Sequence, residues 1–394
     1  MGSMSMYSYS WDFEENGVTN TVDELKNIGI NTVTLASTYH AGKFLRPKSK
    51  KKKVYFPEDG TAYFKTDAAK YGAIKPIPHS IYGNGEILSE LTKAKDISVN
   101  AWIVLLHNSK LGAENLGSIV HNAFGDPYFN SLCPAAPEAR AYATGLTQDI
   151  TENYEVSGLC IESIGYPPYE HDHHHEMSFV RPNKWLSSYL GLCFCAHCVK
   201  GAENIGIDAT RLKAKVAKNV DDYLSEDIDF PNDMAEAFWL ADITGDGDLN
   251  KYLDFRCSVV TSLVKEIRER VRNGVEVSII PSVVRPTGGA WYEGSDLKSI
   301  IELTGVLEVA FYESSTERIK ADLADVKRRT AGLGRIKGIL RPAYPDLVDE
   351  RAVIDAVQAL SEGGVKDIGF YNYGHIRSQS LNWIASALAS VGEK

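Results

Sequence analysis

Apolar residues in this chain fall into eight short runs, each closed by polar, aromatic or proline-bearing positions. The runs cover residues 7–11, 31–36, 99–106, 157–162, 276–284, 305–311, 335–340 and 367–370. They are too short for helices of their own, and several are rich in β-branched residues, so they predict strands. Helical spacing falls between and after them, at 21–29, 84–97, 137–154, 295–304, 316–331, 349–362 and 380–391. Thr21 is the expected cap of the first helix, and Pro137 with Glu138 opens the third. Residues 184–272 are mostly helical in pattern, broken by a cysteine-rich stretch.

Strands alternating with helices imply parallel pairing with right-handed crossovers. Eight such units predict an α/β fold of the (β/α)8 barrel type, with long loops after strands 2, 3 and 4. The whole of 1–394 is expected to form one barrel domain with an inserted helical segment at about 184–250. An open doubly wound sheet would carry a glycine-rich phosphate loop after its first strand, where this chain has Trp11-Asp12-Phe13-Glu14. The loop after strand 2 exceeds forty residues, and its aromatics (Phe44, Tyr55, Phe56, Tyr63, Phe64, Tyr71) predict a folded flap.

A chain of 394 residues, 44% hydrophobic, can bury a core large enough to fold without staples. The formal charge of −10 argues against a nucleic-acid partner. The one basic run, at 48–53, is expected to be a solvated loop. No apolar run has the length of a membrane span and no leader pattern opens the chain, so a cytoplasmic, membrane-free protein is expected. A homo-oligomer is compatible with the sequence.

A barrel of this type gathers its chemistry at the C-terminal ends of the strands. There the chain offers Trp11, Asp12, Tyr39, His40, His107, Asn108, Glu162, Arg285, Tyr312, Glu313, Arg341, Tyr371, Asn372, Tyr373 and His375. Aromatic faces stack on sugar rings, while acids, amides and guanidinium bond hydroxyls, so the expected ligand is a small carbohydrate or glycoside. Cleaving a glycosidic bond takes two carboxyl groups on opposite sides of it. Glu162 on strand 4 and Glu313 on strand 6 are the expected catalytic pair. Trp11, Asp12, Tyr39, His40, His107, Asn108, His173, Arg341, Tyr371, Tyr373 and His375 are expected to bind substrate. The alternative is a metal-dependent sugar isomerase, epimerase or lyase that uses the loop 171–176 (His-Asp-His-His-His-Glu) with His40 and His107. No organic cofactor is expected.

Cys193, Cys195 and Cys198 have a spacing that wraps a tetrahedral zinc when a fourth ligand arrives, and Cys133 is the expected fourth. Plain packed cysteines are the competing reading. Cys160 and Cys257, inside a strand and a helix, are expected to be buried thiols. The run from Asp242 to Asn250 has the spacing of a calcium loop but carries Leu253 where the bidentate glutamate belongs, so a turn before the next helix is the favoured reading.

Three stretches carry a resemblance to known barrels: 39–44 with 54–64, Leu132-Cys133-Pro134, and Glu162 followed by Cys193-Phe194-Cys195-Ala196-His197-Cys198. Over residues 1–200 the chain resembles the glycoside-hydrolase-like (β/α)8 barrels of uncharacterised bacterial groups placed near the family 42 β-galactosidases. The resemblance implies that Glu162 is the acid/base and that Cys133, Cys193, Cys195 and Cys198 bind a structural zinc. The chain departs from that pattern in having Ile161 before its acid and no acid after strand 7, where Arg341 and Tyr344 stand. An acid pair on strands 4 and 6 instead resembles the α-galactosidase arrangement.

Overall fold

The computed structural model describes residues 2–171, 177–282 and 288–392. Eight parallel strands close into a barrel: β1 (Met4–Ser8), β2 (Thr32–Tyr39), β3 (Ser98–Val104), β4 (Gly158–Glu162), β5 (Glu276–Ile279), β6 (Val306–Ala310), β7 (Arg335–Leu340) and β8 (Asp367–Phe370). Closure is direct, because β1 pairs with β8 through Ser5 opposite Gly369 and with β2 through Ser5 opposite Thr32. All eight residues of β2 are buried, as befits a strand covered on both faces.

The helices outside the barrel hold their positions by the usual apolar stripe. Helix Glu350–Glu362 is typical: Asp349 accepts the Ala352 N–H at 2.8 Å as its cap. Val353, Ala356, Val357 and Leu360 then present one buried face at helical spacing. Between β4 and β5 run the helices Lys184–Leu190, Ala196–Glu203, Ala209–Ser225, Asn232–Gly245 and Gly247–Arg270. Among the described residues no helix is long and apolar enough to cross a membrane.

Several expectations about boundaries change. The first strand lies at Met4–Ser8 rather than 7–11, and Trp11 and Asp12 belong to a 3-10 turn, Ser10–Asp12. Thr21 is not a cap. The helix begins at Gly17, and the Thr21 hydroxyl donates back to the Gly17 carbonyl at 2.9 Å. The helix expected over 84–97 is only Glu86–Leu91, because the chain must turn into β3 and does so with Asp96 at φ 62°. The calcium-like run is a helix junction. Asp246 caps Gly247–Arg270 by accepting the Asp248 and Leu249 N–H groups, and its other oxygen meets Lys215 Nζ at 2.6 Å.

The flap after β2 is folded. Phe44–Leu45 pairs antiparallel with Val54–Tyr55, and Thr61–Ala62 extends the end of β2. Of the basic run, Lys50 to Lys53 are exposed, whereas Lys48 reaches inward and donates to the Tyr373 carbonyl at 2.5 Å.

The barrel interior is layered and largely polar. At the bottom Glu276 faces Lys337 at 2.5 Å and also bonds Arg335, whose other arm holds Asp367 at 2.7 Å. In the middle Glu308 accepts from Tyr7 Oη and Ser278 Oγ, both at 2.6 Å. Cys160 stands opposite Trp102 on one side and Ser278 on the other. The layer above carries the cleft.

Candidate active site

A cleft of about 430 Å³ opens where β1–β8 end. Its carboxylate, the one among the described lining residues, is Glu162, the last residue of β4. Residues 158, 160 and 162 alternate toward the barrel axis, which brings Glu162 one layer above Cys160. Ser163 follows at φ 55°, a left-handed conformation costly for a residue with a side chain, and turns the backbone sharply away from the strand. The Leu106 N–H ties that turn down by donating to the Ser163 carbonyl at 3.1 Å.

Glu162 accepts one hydrogen bond, from Trp102 Nε1 at 2.8 Å. Burial pushes its carboxyl up from 4.5 to about 7, and the Trp102 donor, which favours the charged form, offsets part of that rise. Trp102 rests edge-on against Tyr7, with ring centroids 5.2 Å apart. Tyr7 is anchored in turn by Glu308.

Around this carboxyl stand aromatic and cationic groups. The Tyr371 hydroxyl lies 3.1 Å from Tyr9 Oη and 3.3 Å from Tyr39 Oη. Burial drives the phenols of Tyr9, Tyr39 and Tyr371 up, so each stays a neutral donor. The His40 ring stacks on Tyr39 at 4.3 Å. Arg341, just past β7, lies with its guanidinium 4.2 Å over the Tyr312 ring and its Nε 3.2 Å from Asp346 Oδ2. Burial, together with the nearby charges of Arg46 and Lys48, lowers the His375 imidazole, although its contact with the Leu45 carbonyl opposes this.

Of the residues the sequence offered, Glu162, Tyr39, His40, His171, Tyr312, Arg341, Tyr371, Asn372 and His375 line the cleft, whereas Trp11, Asp12, His107, Asn108, Glu313 and Tyr373 do not. Glu313 is buried off the cleft, with its carboxylate on Arg318 of the following helix, Thr316–Arg329. Trp11 is fully buried and stacks on Tyr9 at 4.5 Å, so it is core and not a substrate surface. Asp12 accepts the Tyr9 N–H at 2.9 Å and lies 3.9 Å from Arg46, in a separate crevice that also holds Lys48 and Tyr373. Burial raises its carboxyl to about 6 against the pull of that N–H and of the Arg46 and Lys48 charges.

Asn108 has structural work. Its oxygen caps Ser109–Glu114 through the Leu111 N–H at 3.0 Å, and its nitrogen donates to the Gly60 carbonyl at 2.9 Å. The Tyr373 hydroxyl donates to Glu24 at 2.6 Å, away from the cleft. His107 stands behind His40, with ring centroids 4.8 Å apart, and 6.2 Å from His171, which does line the cleft. His173 and Arg285 lie outside the described residues. Tyr7, Trp102 and Tyr312 belong to the cleft but were not among the expected ligand-binding residues. Trp102 shares an axis-facing row with Asn100 and Val104, in register with β4, and no alternation along β3 marks that row in the sequence.

Away from the cleft, Cys133, Cys193, Cys195 and Cys198 converge. Their sulfurs all lie within 4.8 Å of one another, and the Cys133 sulfur is 3.5 Å, 3.6 Å and 3.9 Å from those of Cys198, Cys195 and Cys193. All four are buried. Cys160 and Cys257 are buried and separate from this group, as their places in the sequence imply.

No family model matches the chain, and no curated protein matches it. Solved structures share its fold over nearly the whole length, two of them as follows. The PgaB (BpsB) glycoside hydrolase domain from Bordetella bronchiseptica is 12% identical with a TM-score of 0.61, covering 98% of this chain and 99% of that one. The catalytic domain of β-amylase from Paenibacillus polymyxa is 11% identical with a TM-score of 0.58, covering 99% of each. At these identities the likeness establishes the barrel architecture. Neither neighbour is a family 42 β-galactosidase, so that resemblance rests on the sequence motifs.

Proposed function

We propose that the chain is a glycoside hydrolase in which Glu162 is the proton donor. The observation that carries this reading is a half-buried carboxyl, held protonated to about pH 7, at the floor of an aromatic cleft. A carboxyl with that poise can protonate a leaving glycosidic oxygen near neutrality. Once the proton has left and the glycosidic C–O bond has broken, the Trp102 N–H stabilises the carboxylate, which can take a proton back from the water whose oxygen bonds the anomeric carbon in place of the departed one. The rings of Tyr39, Tyr312 and Tyr371 offer apolar faces for a sugar, and their hydroxyls and Arg341 offer donors to its oxygens. The two solved neighbours named as a glycoside hydrolase domain and an amylase support the same class of reaction. Glu162→Gln should lower kcat on a glycoside by a factor on the order of 10³ while leaving the fold intact. Near-wild-type hydrolysis by that variant would sink the reading.

The cysteine cluster fits a structural zinc. Four sulfurs at roughly 2.3 Å from a tetrahedral ion stand roughly 3.8 Å apart, and the distances from Cys133 bracket that value. Four protein ligands leave no open position, so the ion would clamp the loop after β3 to the helical segment after β4 and take no part in the reaction. Purified protein should contain one zinc per chain, and Cys198→Ser should lose it with a lower Tm. Full stability of metal-free protein would leave the four thiols as packing alone.

A second reading draws on the row His40, His107 and His171, which the fold brings into sequence at the rim. Imidazoles there would hold a catalytic ion for isomerisation or elimination. Among the described residues, however, the cysteine cluster is the one group whose ligand atoms converge as a metal site requires. Activity that vanishes with a chelator and returns with manganese would favour this second reading over the first.

A further inference from the structure

The described lining of the cleft carries one guanidinium and one carboxyl among imidazoles, phenols and the Asn372 amide, groups that both donate and accept. Among its described lining residues are Arg341, His40, His171, His375, the hydroxyls of Tyr39 and Tyr371, and one carboxyl. This is unlike the protein as a whole, whose formal charge is −10.

Arg341 is the charged donor-only group among the described lining residues. It follows β7, and β7 lies three strands from β4 around a ring of eight, so Arg341 faces the Glu162 side across the mouth. Its guanidinium lies flat on Tyr312 at 4.2 Å. Its Nε is held at 3.2 Å by Asp346, as an ion pair rather than an aligned hydrogen bond. Asp346 itself is buried and does not line the cleft. Neither terminal nitrogen of Arg341 has a hydrogen-bond partner among the described residues, although the side chain is only 29% exposed. A guanidinium fixed through one face and one nitrogen has already lost most of its rotamer freedom, so little ordering is left to oppose binding. The remaining edge is a planar two-donor fork, which matches the two coplanar oxygens of a carboxylate better than a tetrahedral sulfate or phosphate.

We propose that the cleft takes a glycoside bearing a carboxylate, a uronide, with Arg341 as the receptor for that carboxylate. This rests on the glycosidase reading for the reaction, but not for the binding preference. The preference can be read on the wild-type protein, by calorimetric titration with free glucuronate, galacturonate and mannuronate, each against its uncharged amide. At least one uronate should bind tenfold or more tightly than its amide, and more tightly than a neutral hexose or its 6-sulfate. Arg341→Met, which keeps the stem over Tyr312, should bring acid and amide to within about twofold. Equal binding of acid and amide by the wild type would overturn the inference whether or not the variant folds, as would a preference for the sulfate. A preference unchanged in Arg341→Met would remove Arg341 as its source. A uronate preference with no hydrolysis of any 4-nitrophenyl uronide would leave this inference standing and sink the glycosidase reading. Hydrolysis of neutral glycosides with no uronate preference would do the reverse.

Discussion

Glu308 and Glu162 point into this barrel one layer apart, and their surroundings separate chemistry from architecture. Glu308 is 2% exposed, and both its oxygens are taken, by Tyr7 and Ser278 at 2.6 Å. Beside it, burial lowers the Lys337 ammonium, but the charges of Glu308 and Glu276 outweigh this and hold it above its ordinary range. Glu162, nearer the mouth, has a single donor and a carboxyl raised to about 7. A carboxylate with all its bonds made inside the protein holds the barrel together and has nothing left to offer a substrate. One left short of partners keeps its proton and can give it away. Tyr7 joins the two layers, since it bonds Glu308 below and packs against Trp102, the donor to Glu162, above.

Breaking this contrast starts with the largest effect. The rate loss expected for Glu162→Gln, a factor on the order of 10³, corresponds to about 4 kcal/mol in the barrier. Glu308→Ala should show the opposite profile. Leaving Tyr7 and Ser278 without their acceptor, and Lys337 without a nearby negative charge, should lower the unfolding free energy by roughly 3 kcal/mol in a urea titration. A stable Glu308→Ala protein with wild-type melting would erase the distinction between the layers.

A smaller effect follows from the raised carboxyl of Glu162. Between its ordinary 4.5 and about 7 the folded chain binds a proton there that the unfolded chain has lost. That contribution to stability is complete below pH 4.5 and disappears as pH rises through 7. Wild type should therefore fall behind Glu162→Gln on going from pH 5 to pH 8. The gap should change by on the order of 2 kcal/mol, after allowance for the partial exposure of the group. A gap that does not change with pH would mean that Glu162 is not held neutral. The smallest effect is expected at Glu313, which Arg318 holds away from the cleft. Glu313→Gln should keep kcat within about tenfold of wild type, or about 1.4 kcal/mol in the barrier. A loss as large as that of Glu162→Gln would instead make the two glutamates a working pair.

Much of this was legible in the chain itself. The eight apolar runs, the helical spacing between them and the carboxylate at the end of the fourth run are enough to predict the barrel and to single out Glu162, because strand identity and strand ends are local properties. The grouping of Cys133 with Cys193, Cys195 and Cys198 was also readable from spacing and from the adjacency of neighbouring barrel loops. The side-chain directions just beyond each strand were not. Trp11, Asp12, Asn108, Glu313 and Tyr373 all sit at or past strand ends. Yet one stacks into the core, one lies in a side crevice, one caps a helix, one meets an arginine on the outer layer and one reaches Glu24. Nor could the sequence say that Trp102 and Tyr7 belong to the cleft. Strands covered on both faces read as unbroken apolar runs, with no alternation to mark which row faces the axis. The order of strands and the place of one acid are written in local pattern. Which of the surrounding groups share a cavity with that acid is decided by barrel closure and by the register of distant strands, which set every side chain's direction at once.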